Sequence, residues 1–145
     1  MTKAPVLTEI AFDDWLAIAN VKARYCRLLD TKDWTGFAAL FAEDAVIDAT
    51  ASGGPRLDGR DAAVAYIRSS LEPAVTVHHV HSAEIEIDGD GARAVWAMQD
   101  RLTWPNGRLL DAAGHYHERY ARVGGVWRIM ESRLTRLFVD MRVAE

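Results

Sequence analysis

The second half of the chain alternates between long stretches rich in β-branched residues and short segments that form tight turns. The turn segments read "IDGDG", "WPNG" and "VGG", and the Asp-Gly and Asn-Gly pairs in two of them favour β-hairpins. These turns divide the sequence after Pro73 into four predicted strands, over 75–87, 92–104, 109–123 and 126–139. Strands joined by such short turns pair antiparallel, so the pattern predicts a four-stranded meander.

The first half of the chain predicts helices. Apolar residues recur at helical spacing from about 12 to 29, and the acidic segment "FDDW" favours a helix N-terminus. Two further helices are predicted over 33–41 and 60–71; "AVIDAT" between them predicts a strand, and "SGGPRLDGR" predicts a turn. Helices followed by a meander predict an α+β fold. The helices would pack on one face of a curved antiparallel sheet and enclose a cone-shaped pocket.

Composition narrows the functional classes. The 145 residues show no linker-like segment, so we expect a single domain over 1–145. The net charge of −4, with both signs interspersed, argues against nucleic acid as a partner. No apolar run is long enough to span a membrane and no signal-peptide pattern is visible, so we expect a cytoplasmic protein. Cys26 is the only cysteine, and we interpret it as a packing residue rather than a nucleophile.

Three segments resemble a known family. The segment "EIAFDDWLAIANVKARY" with the following "LDTKDW" is similar to the opening of scytalone dehydratase, and "TVHHV" is similar to the strand that carries a catalytic histidine there. The segment "GVWRI" resembles the last-strand signature of the nuclear-transport-factor-2-like (NTF2-like) superfamily. The resemblance is to the SnoaL-like members of that superfamily and covers about 9–140. It implies the NTF2-like cone, chemistry without a cofactor, and a homo-oligomer, either a dimer or a trimer.

The resemblance implies a catalytic pair at Asp30 and His78. In scytalone dehydratase and the lindane dehydrochlorinase, an Asp after the first helix pairs with a His on the first long strand; here the two positions are 48 residues apart. Imidazole titrates near neutral pH, so His78 would be base and acid, and Asp30 would orient it. The alternatives are a hydrogen-bonded core histidine and a solvated aspartate at a helix end.

Two further polar residues are candidates for the same site. Bile-acid 7α-dehydratase resembles this chain in having a tyrosine five residues before its Asp, here Tyr25, and an Asp on its second long strand, near Asp100. Tyr25 would donate to a substrate carbonyl oxygen, or else it is a core tyrosine. Asp100 shares its alternation register with Trp96 and Met98, so it points inward unless a bulge turns it outward.

The remaining candidates would line the pocket. The apolar lining is predicted to come from Trp15, Val46, Trp96, Met98 and Phe138, and Tyr116 and Glu118 share a register beside them. Leu29, Ala49 and Tyr116 stand where scytalone dehydratase has functional polar residues, so the substrate is not expected to be scytalone.

Two His-x-His pairs raise the question of a metal site. His79 with His81, and His115 with His117, each place two imidazoles on one strand face. Such pairs can bind a metal, but we interpret them as histidines on the outer face of the sheet, and we expect no metal.

These features predict a cofactor-independent lyase, a dehydratase that acts on a small hydrophobic cyclic or polyketide-like substrate. One alternative is an isomerase of the same fold that uses the same proton transfer. A second is a non-catalytic module that binds small molecules, and a third is a subunit of a ring-hydroxylating oxygenase.

Overall fold

The computed structural model describes residues 9–143 of the chain. Three α-helices and six strands follow one another in the order α1 (Glu9–Asp30), α2 (Trp34–Ala38), β1 (Phe41–Asp48), β2 (Arg56–Asp58), α3 (Arg60–Leu71), β3 (Val75–Asp88), β4 (Gly91–Thr103), β5 (Leu109–Val123) and β6 (Val126–Arg142). A short 3-10 helix, Thr50–Ser52, lies between β1 and β2. The helix α3 and the four long strands lie where the periodicity and the turn glycines predicted them.

The six strands form one sheet in the order β2-β1-β6-β5-β4-β3. Strands β3 to β6 pair antiparallel, which confirms the predicted meander. Strand β1 extends the sheet by pairing parallel to β6, and β2 pairs antiparallel to β1 at the edge. The helices pack on the inner face of this curved, unclosed sheet, so the predicted α+β cone is confirmed.

Two elements near the start of the sheet differ from the prediction. Strand β1 begins at Phe41, earlier than predicted, because the Ile129 backbone N–H donates to the Leu40 carbonyl and extends the pairing with β6. Strand β2 lies inside the segment that was predicted to be a turn. Its three residues pair with the end of β1. The turn-forming residues on either side of β2 gave no indication of this pairing in the sequence.

The inner face of the sheet is defined by cross-strand rows that run from β6 to β3. The row that carries the predicted site contains Val139, Ala112, Asp100 and His78. The next row towards the closed end of the cone contains Arg136, Gly114, Met98 and Val80. Directly opposed residues share a face of a sheet, so the register by itself places His78 and Asp100 side by side.

A β-bulge in β6 changes which of its residues face inward. Gly114 pairs with Arg136, whereas Ala113 pairs with Phe138, so Leu137 is the extra residue. Phe138 therefore lies on the outer face with 54% of its surface exposed. The prediction that Phe138 lines the pocket is wrong, because it assumed strict alternation; Val139 occupies the inward position instead.

Two other predicted lining residues also lie elsewhere. Val46 pairs with Glu131 on the outer face, after an irregularity in the β1–β6 ladder, and its neighbour Ile47 packs on the core. Trp15 is 38% exposed and stacks on Phe12. It lies 15 residues before Asp30 on the same helix, roughly 22 Å along the axis, and so cannot line a site at the helix C-terminus.

The core fills the closed end of the cone. Aromatic rings of α1, α2 and β1 meet there: Phe41 makes edge contacts with Tyr25 and Phe37, which are tilted against each other. None of the helices in residues 9–143 combines the length and the apolar character that crossing a membrane requires.

Candidate active site

The C-terminus of α1 positions Asp30. The helix ends in a Schellman motif, in which the Asp33 N–H donates to the Leu28 carbonyl and the Lys32 N–H donates to the Leu29 carbonyl. Lys32 occupies the left-handed position of this motif, with φ of 62°. The negative end of the helix dipole disfavours a carboxylate here, so Asp30 needs donors from outside the helix.

Strand β3 supplies those donors. The Nδ1 atom of His78 lies 2.7 Å from Oδ1 of Asp30, and the backbone N–H of His78 donates to Oδ2 at 2.8 Å. The Thr76 hydroxyl donates to Oδ1 at 2.9 Å and accepts from the Lys32 ammonium at 2.9 Å. The carboxylate is thus held by one strand through three hydrogen bonds, with a lysine behind the threonine.

These contacts decide the ionisation of Asp30. Partial burial acts to raise the pKa of its carboxyl, but the hydrogen bonds from the imidazole and the backbone of His78, together with that of Thr76, outweigh burial and lower the pKa. Asp30 is therefore a carboxylate at neutral pH. A carboxylate at Nδ1 favours the imidazole tautomer with the proton on Nδ1, which leaves Nε2 unprotonated and able to act as a base.

Asp100 faces the other side of the imidazole. Its Oδ2 lies 3.9 Å from His78 Nε2, and its side chain is 4% exposed. The inward orientation left open by the sequence is therefore the one observed. A carboxylate at this distance makes no hydrogen bond to neutral Nε2, but it would stabilise the imidazolium that forms when Nε2 takes up a proton.

Arg136 neutralises the Asp100 carboxylate. Its two terminal nitrogens donate to the two carboxylate oxygens at 2.6 and 2.9 Å, a bidentate geometry. Arg136 reaches Asp100 because Gly114 lies between them on β5. A Cβ atom on Gly114 would lie 1.9 Å from the Thr135 carbonyl oxygen, so only glycine allows this close approach of the bulged strand.

Tyr25 and Tyr116 lie at the closed end of the site. Both are buried, and their ring centroids are 5.6 Å apart in an edge-to-face arrangement. Burial raises the pKa of both phenols, and the charges of Glu118 and Asp100 contribute to raising that of Tyr25. Both phenols therefore stay protonated in the physiological pH range, which makes them hydrogen-bond donors rather than bases.

The other predicted residues of the inner face belong to the packed core. Trp96 and Met98 are buried, and the Trp96 indole donates to the Tyr120 hydroxyl. Glu118 faces inward as predicted, but its oxygens are occupied by Lys22, Ser132 and Tyr120, so it is not free to bind a substrate.

The His-x-His pairs lie on the outer face, as interpreted from the sequence. His79 pairs with Gln99, and His81 and His115 both pair with Ala97, all with side chains directed away from the helices. No three His, Cys, Asp or Glu side chains within residues 9–143 are arranged to hold a metal ion.

Solvent reaches the site at the open end of the cone. The Asp30 side chain is 22% exposed and the Arg136 side chain 16%, whereas His78 between them is 5% exposed. A groove of about 580 Å³ between α1, α2 and the start of β6 contains none of these residues.

Sequence reasoning missed three residues of this arrangement. Arg136, Thr76 and Lys22 each contact a predicted residue, and two of them are charged side chains at inward positions. Lys22 lies three residues before Tyr25 on the apolar face of α1, and Arg136 shares the inward register of Leu134. A charged residue in the apolar register of a helix or strand was the signal that could have identified both.

Comparison with known proteins agrees with this fold. The SnoaL-like domain family matches residues 11–133 of the chain. The protein named probable cyclase FGR4 of Gibberella zeae is 26% identical over 134 residues, which cover 83% of this chain and 89% of that protein.

Two solved structures share the fold. A Novosphingobium aromaticivorans protein, provisionally named a scytalone dehydratase, has a TM-score of 0.82 at 20% identity over 92% of this chain and 91% of its own. A hexachlorocyclohexane dehydrochlorinase of Novosphingobium barchaimii has a TM-score of 0.80 at 14% identity over 92% and 93%. The family match spans most of the chain, and the protein therefore belongs to the SnoaL-like domain family.

Proposed function

We propose that the protein is a cofactor-independent lyase that removes water from a small, neutral, hydrophobic β-hydroxy carbonyl compound, cyclic or polyketide-like. The observation that carries this proposal is the arrangement around His78, with the Asp30 carboxylate on Nδ1 and the buried Asp100 carboxylate 3.9 Å from Nε2. This arrangement suits a histidine that takes up a proton at Nε2 and later returns it.

The first step is proton removal next to the carbonyl group. Nε2 of His78 takes the α proton, the electron pair of the C–H bond forms the enolate, and His78 becomes an imidazolium. Asp30 and Asp100 flank the ring, so the positive charge forms between two carboxylates. The phenol of Tyr25 would donate to the enolate oxygen, as an oxyanion-hole donor does.

The second step is loss of the β-hydroxyl group. The enolate electrons form the carbon–carbon double bond while the C–O bond breaks, and the imidazolium gives its proton to the departing hydroxide. Water leaves, and His78 returns to its neutral tautomer. One residue thus serves as base and acid, so the α hydrogen and the hydroxyl group leave from the same face of the substrate.

The charges of the site favour a neutral substrate. Asp30 and Asp100 are opposed only by Arg136 among the groups that contact them directly, and Arg136 is already paired. A carboxylate or phosphate on the substrate would meet repulsion from two carboxylates, and the nearby Lys32 ammonium lies behind Thr76, where it donates to the Thr76 hydroxyl. The relatives support the same reaction class, since they are named for dehydration, dehydrochlorination and cyclisation, each of which can start from proton removal at carbon.

The proposal is tested by incubating the protein with a panel of cyclic and linear β-hydroxy ketones and analysing products by mass spectrometry. We expect the loss of one water from at least one compound, with the reaction abolished in His78→Gln. Solvent deuterium entering the α position without loss of water would favour the isomerase alternative.

The cyclase named among the relatives supports a second candidate. An enolate formed by His78 could attack a second carbonyl of the same substrate and close a ring. A diketone panel would reveal that activity as a product of unchanged mass with a new ring, seen by NMR. Binding without any turnover or deuterium exchange would contradict both candidates and favour the binding-module alternative.

The homo-oligomer expected from the resemblance stays a prediction.

A further inference from the structure

A buried ion pair lies beneath the tyrosines of the proposed site, and the proposed reaction does not use it. Lys22 and Glu118 have side chains with no exposed surface, and the Lys22 ammonium donates to Glu118 Oε1 at 2.7 Å. Ser132 also donates to Oε1, at 2.8 Å, and the Tyr120 hydroxyl donates to Oε2. The carboxylate is therefore saturated with donors from α1, β5 and β6.

The same ammonium lies against the rings of Tyr25 and Tyr116. Its Nζ is 3.7 Å from the centroid of the Tyr25 ring and 3.6 Å from that of the Tyr116 ring. These are close cation–π contacts in a desolvated environment, where such contacts are strongest. Lys22 thus joins the two rings to each other and, through Glu118, to β5 and β6.

Packing alone does not account for this pair. A buried ion pair contributes little net stability, because removing both charges from water offsets their attraction, and two apolar side chains of similar volume would fill the space as well. Burial lowers the pKa of Lys22, whereas the charge of Glu118 opposes that change. The ammonium of the charged pair fixes the orientation of both tyrosine rings through its cation–π contacts, which an apolar pair could not do.

We propose that Lys22 is a positioning residue, which Glu118 anchors and which holds the Tyr25 and Tyr116 rings so that their hydroxyl groups face the substrate. This inference rests on the proposed function in one respect, namely that a phenol donates to the substrate oxygen. The hold itself is a property of the unliganded protein and can be measured without any substrate.

The test compares ring order in the wild type with that in Lys22→Met/Glu118→Gln. The double variant removes both charges and keeps the volume, whereas either single change leaves a buried charge unpaired and endangers folding. The chain has four tyrosines, so ¹³C-labelled tyrosine gives a simple NMR spectrum. Tyr66, which is 46% exposed, is an internal control, and Arg93→Met on the outer face is the matched control for loss of a positive charge.

We expect slow ring flips for Tyr25 and Tyr116 in the wild type and in Arg93→Met, and fast, averaged signals in the double variant, with Tyr66 unchanged in all three. With a substrate found by the panel, kcat of the double variant should fall roughly ten- to hundred-fold while KM and the thermal midpoint change little. Unchanged Tyr25 and Tyr116 signals would overturn the proposal, and so would loosened rings with an unchanged kcat. Absence of wild-type turnover would contradict the proposed function only, because the ring signals still decide the role of Lys22.

Discussion

Asp30 and His78 are 48 residues apart in the chain, yet Oδ1 of the aspartate lies 2.7 Å from Nδ1 of the histidine. The contact joins the last turn of α1 to the inner face of β3. It depends on two local features, the Schellman motif that ends the helix at Asp30 and the strand register that directs His78 inward. The backbone N–H of His78 bonds the same carboxylate, so the pair is fixed by main chain as well as side chain.

Removing the imidazole should cost most of the turnover without unfolding the protein. We expect His78→Gln to lower kcat roughly 10²- to 10⁴-fold, the range that general acid–base catalysis supplies. Asp30→Asn should give a loss in the same range, because the tautomer with Nε2 unprotonated is no longer favoured. Initial rates on a substrate from the panel measure both. His79→Gln on the outer face is the matched control, and a wild-type rate in His78→Gln would contradict the mechanism.

The depressed pKa of Asp30 should appear in the pH dependence of stability. A carboxyl whose pKa is lowered on folding stabilises the folded state above its unfolded pKa, and that contribution is lost as the pH falls through the folded pKa. The ordinary pKa of this carboxyl is 3.8. Urea unfolding of the wild type and Asp30→Asn should show a gap in unfolding free energy that is constant near neutral pH and narrows below about pH 4. A gap that widens on acidification would show that the pKa is raised.

The Arg136–Asp100 pair should behave as one unit in stability and in activity. Arg136→Met leaves a buried carboxylate without its partner, and we expect a loss of about 3–5 kcal/mol in unfolding free energy. Arg136→Met/Asp100→Leu removes both charges and should recover most of that loss. Denaturant titration measures the stabilities. The double variant should stay poorly active, since no carboxylate remains near Nε2; full activity would exclude a role for Asp100 in the reaction.

Thr76 should support catalysis through Asp30. Thr76→Val keeps the shape of the side chain but removes the hydroxyl group between Lys32 and Asp30, at a cost of about 1 kcal/mol in stability. We also expect a lower kcat and a shifted pH–rate profile, because Asp30 loses a donor. Thr76→Ser, which keeps the hydroxyl group, should restore the profile. Equal profiles for the valine and serine variants would leave Thr76 with a packing role only.

Gly114 should be intolerant of any side chain. An alanine Cβ would lie 1.9 Å from the Thr135 carbonyl oxygen, and the clash is with backbone, which no rotamer change relieves. We expect Gly114→Ala to destabilise the fold by about 2–3 kcal/mol and to displace Arg136. Thermal unfolding measures the first effect. Gly91→Ala is the comparison, since its Cβ would meet its nearest atom at 3.6 Å; equal unfolding midpoints would contradict the close approach at Gly114.

The sequence was sufficient to predict the elements that local signals define. Helix α3 matches its predicted bounds, and turn glycines follow β3, β4 and β5 as predicted, whereas β6 runs on to Arg142. Strand β2 was not predicted, because its three residues lie among turn-forming residues. They adopt strand geometry only through their pairing with β1. Pairing with another strand leaves no signature in the short segment itself.

The resemblance to known enzymes was sufficient to predict the Asp30–His78 pair. Residues whose position depends on a strand irregularity or on a buried ion pair could not be predicted from the sequence. Phe138 was placed inward because strict alternation was assumed, and the bulge at Leu137 reverses the alternation without an obvious mark in the sequence. Lys22 and Arg136 were missed because charged residues are usually solvated. Their burial makes sense only with Glu118 and Asp100, which lie 96 and 36 residues away along the chain.

The measurement that tests the Asp30–His78 dyad most directly is the tautomer of His78, read by NMR in the ¹⁵N-histidine-labelled protein. We predict that neutral His78 carries its proton on Nδ1, hydrogen-bonded to Asp30, with Nε2 unprotonated, and that Asp30→Asn abolishes this pattern. A proton on Nε2 in the wild type, or a His78 signal that does not respond to Asp30→Asn, would contradict the proposal that Asp30 prepares His78 to act as the base.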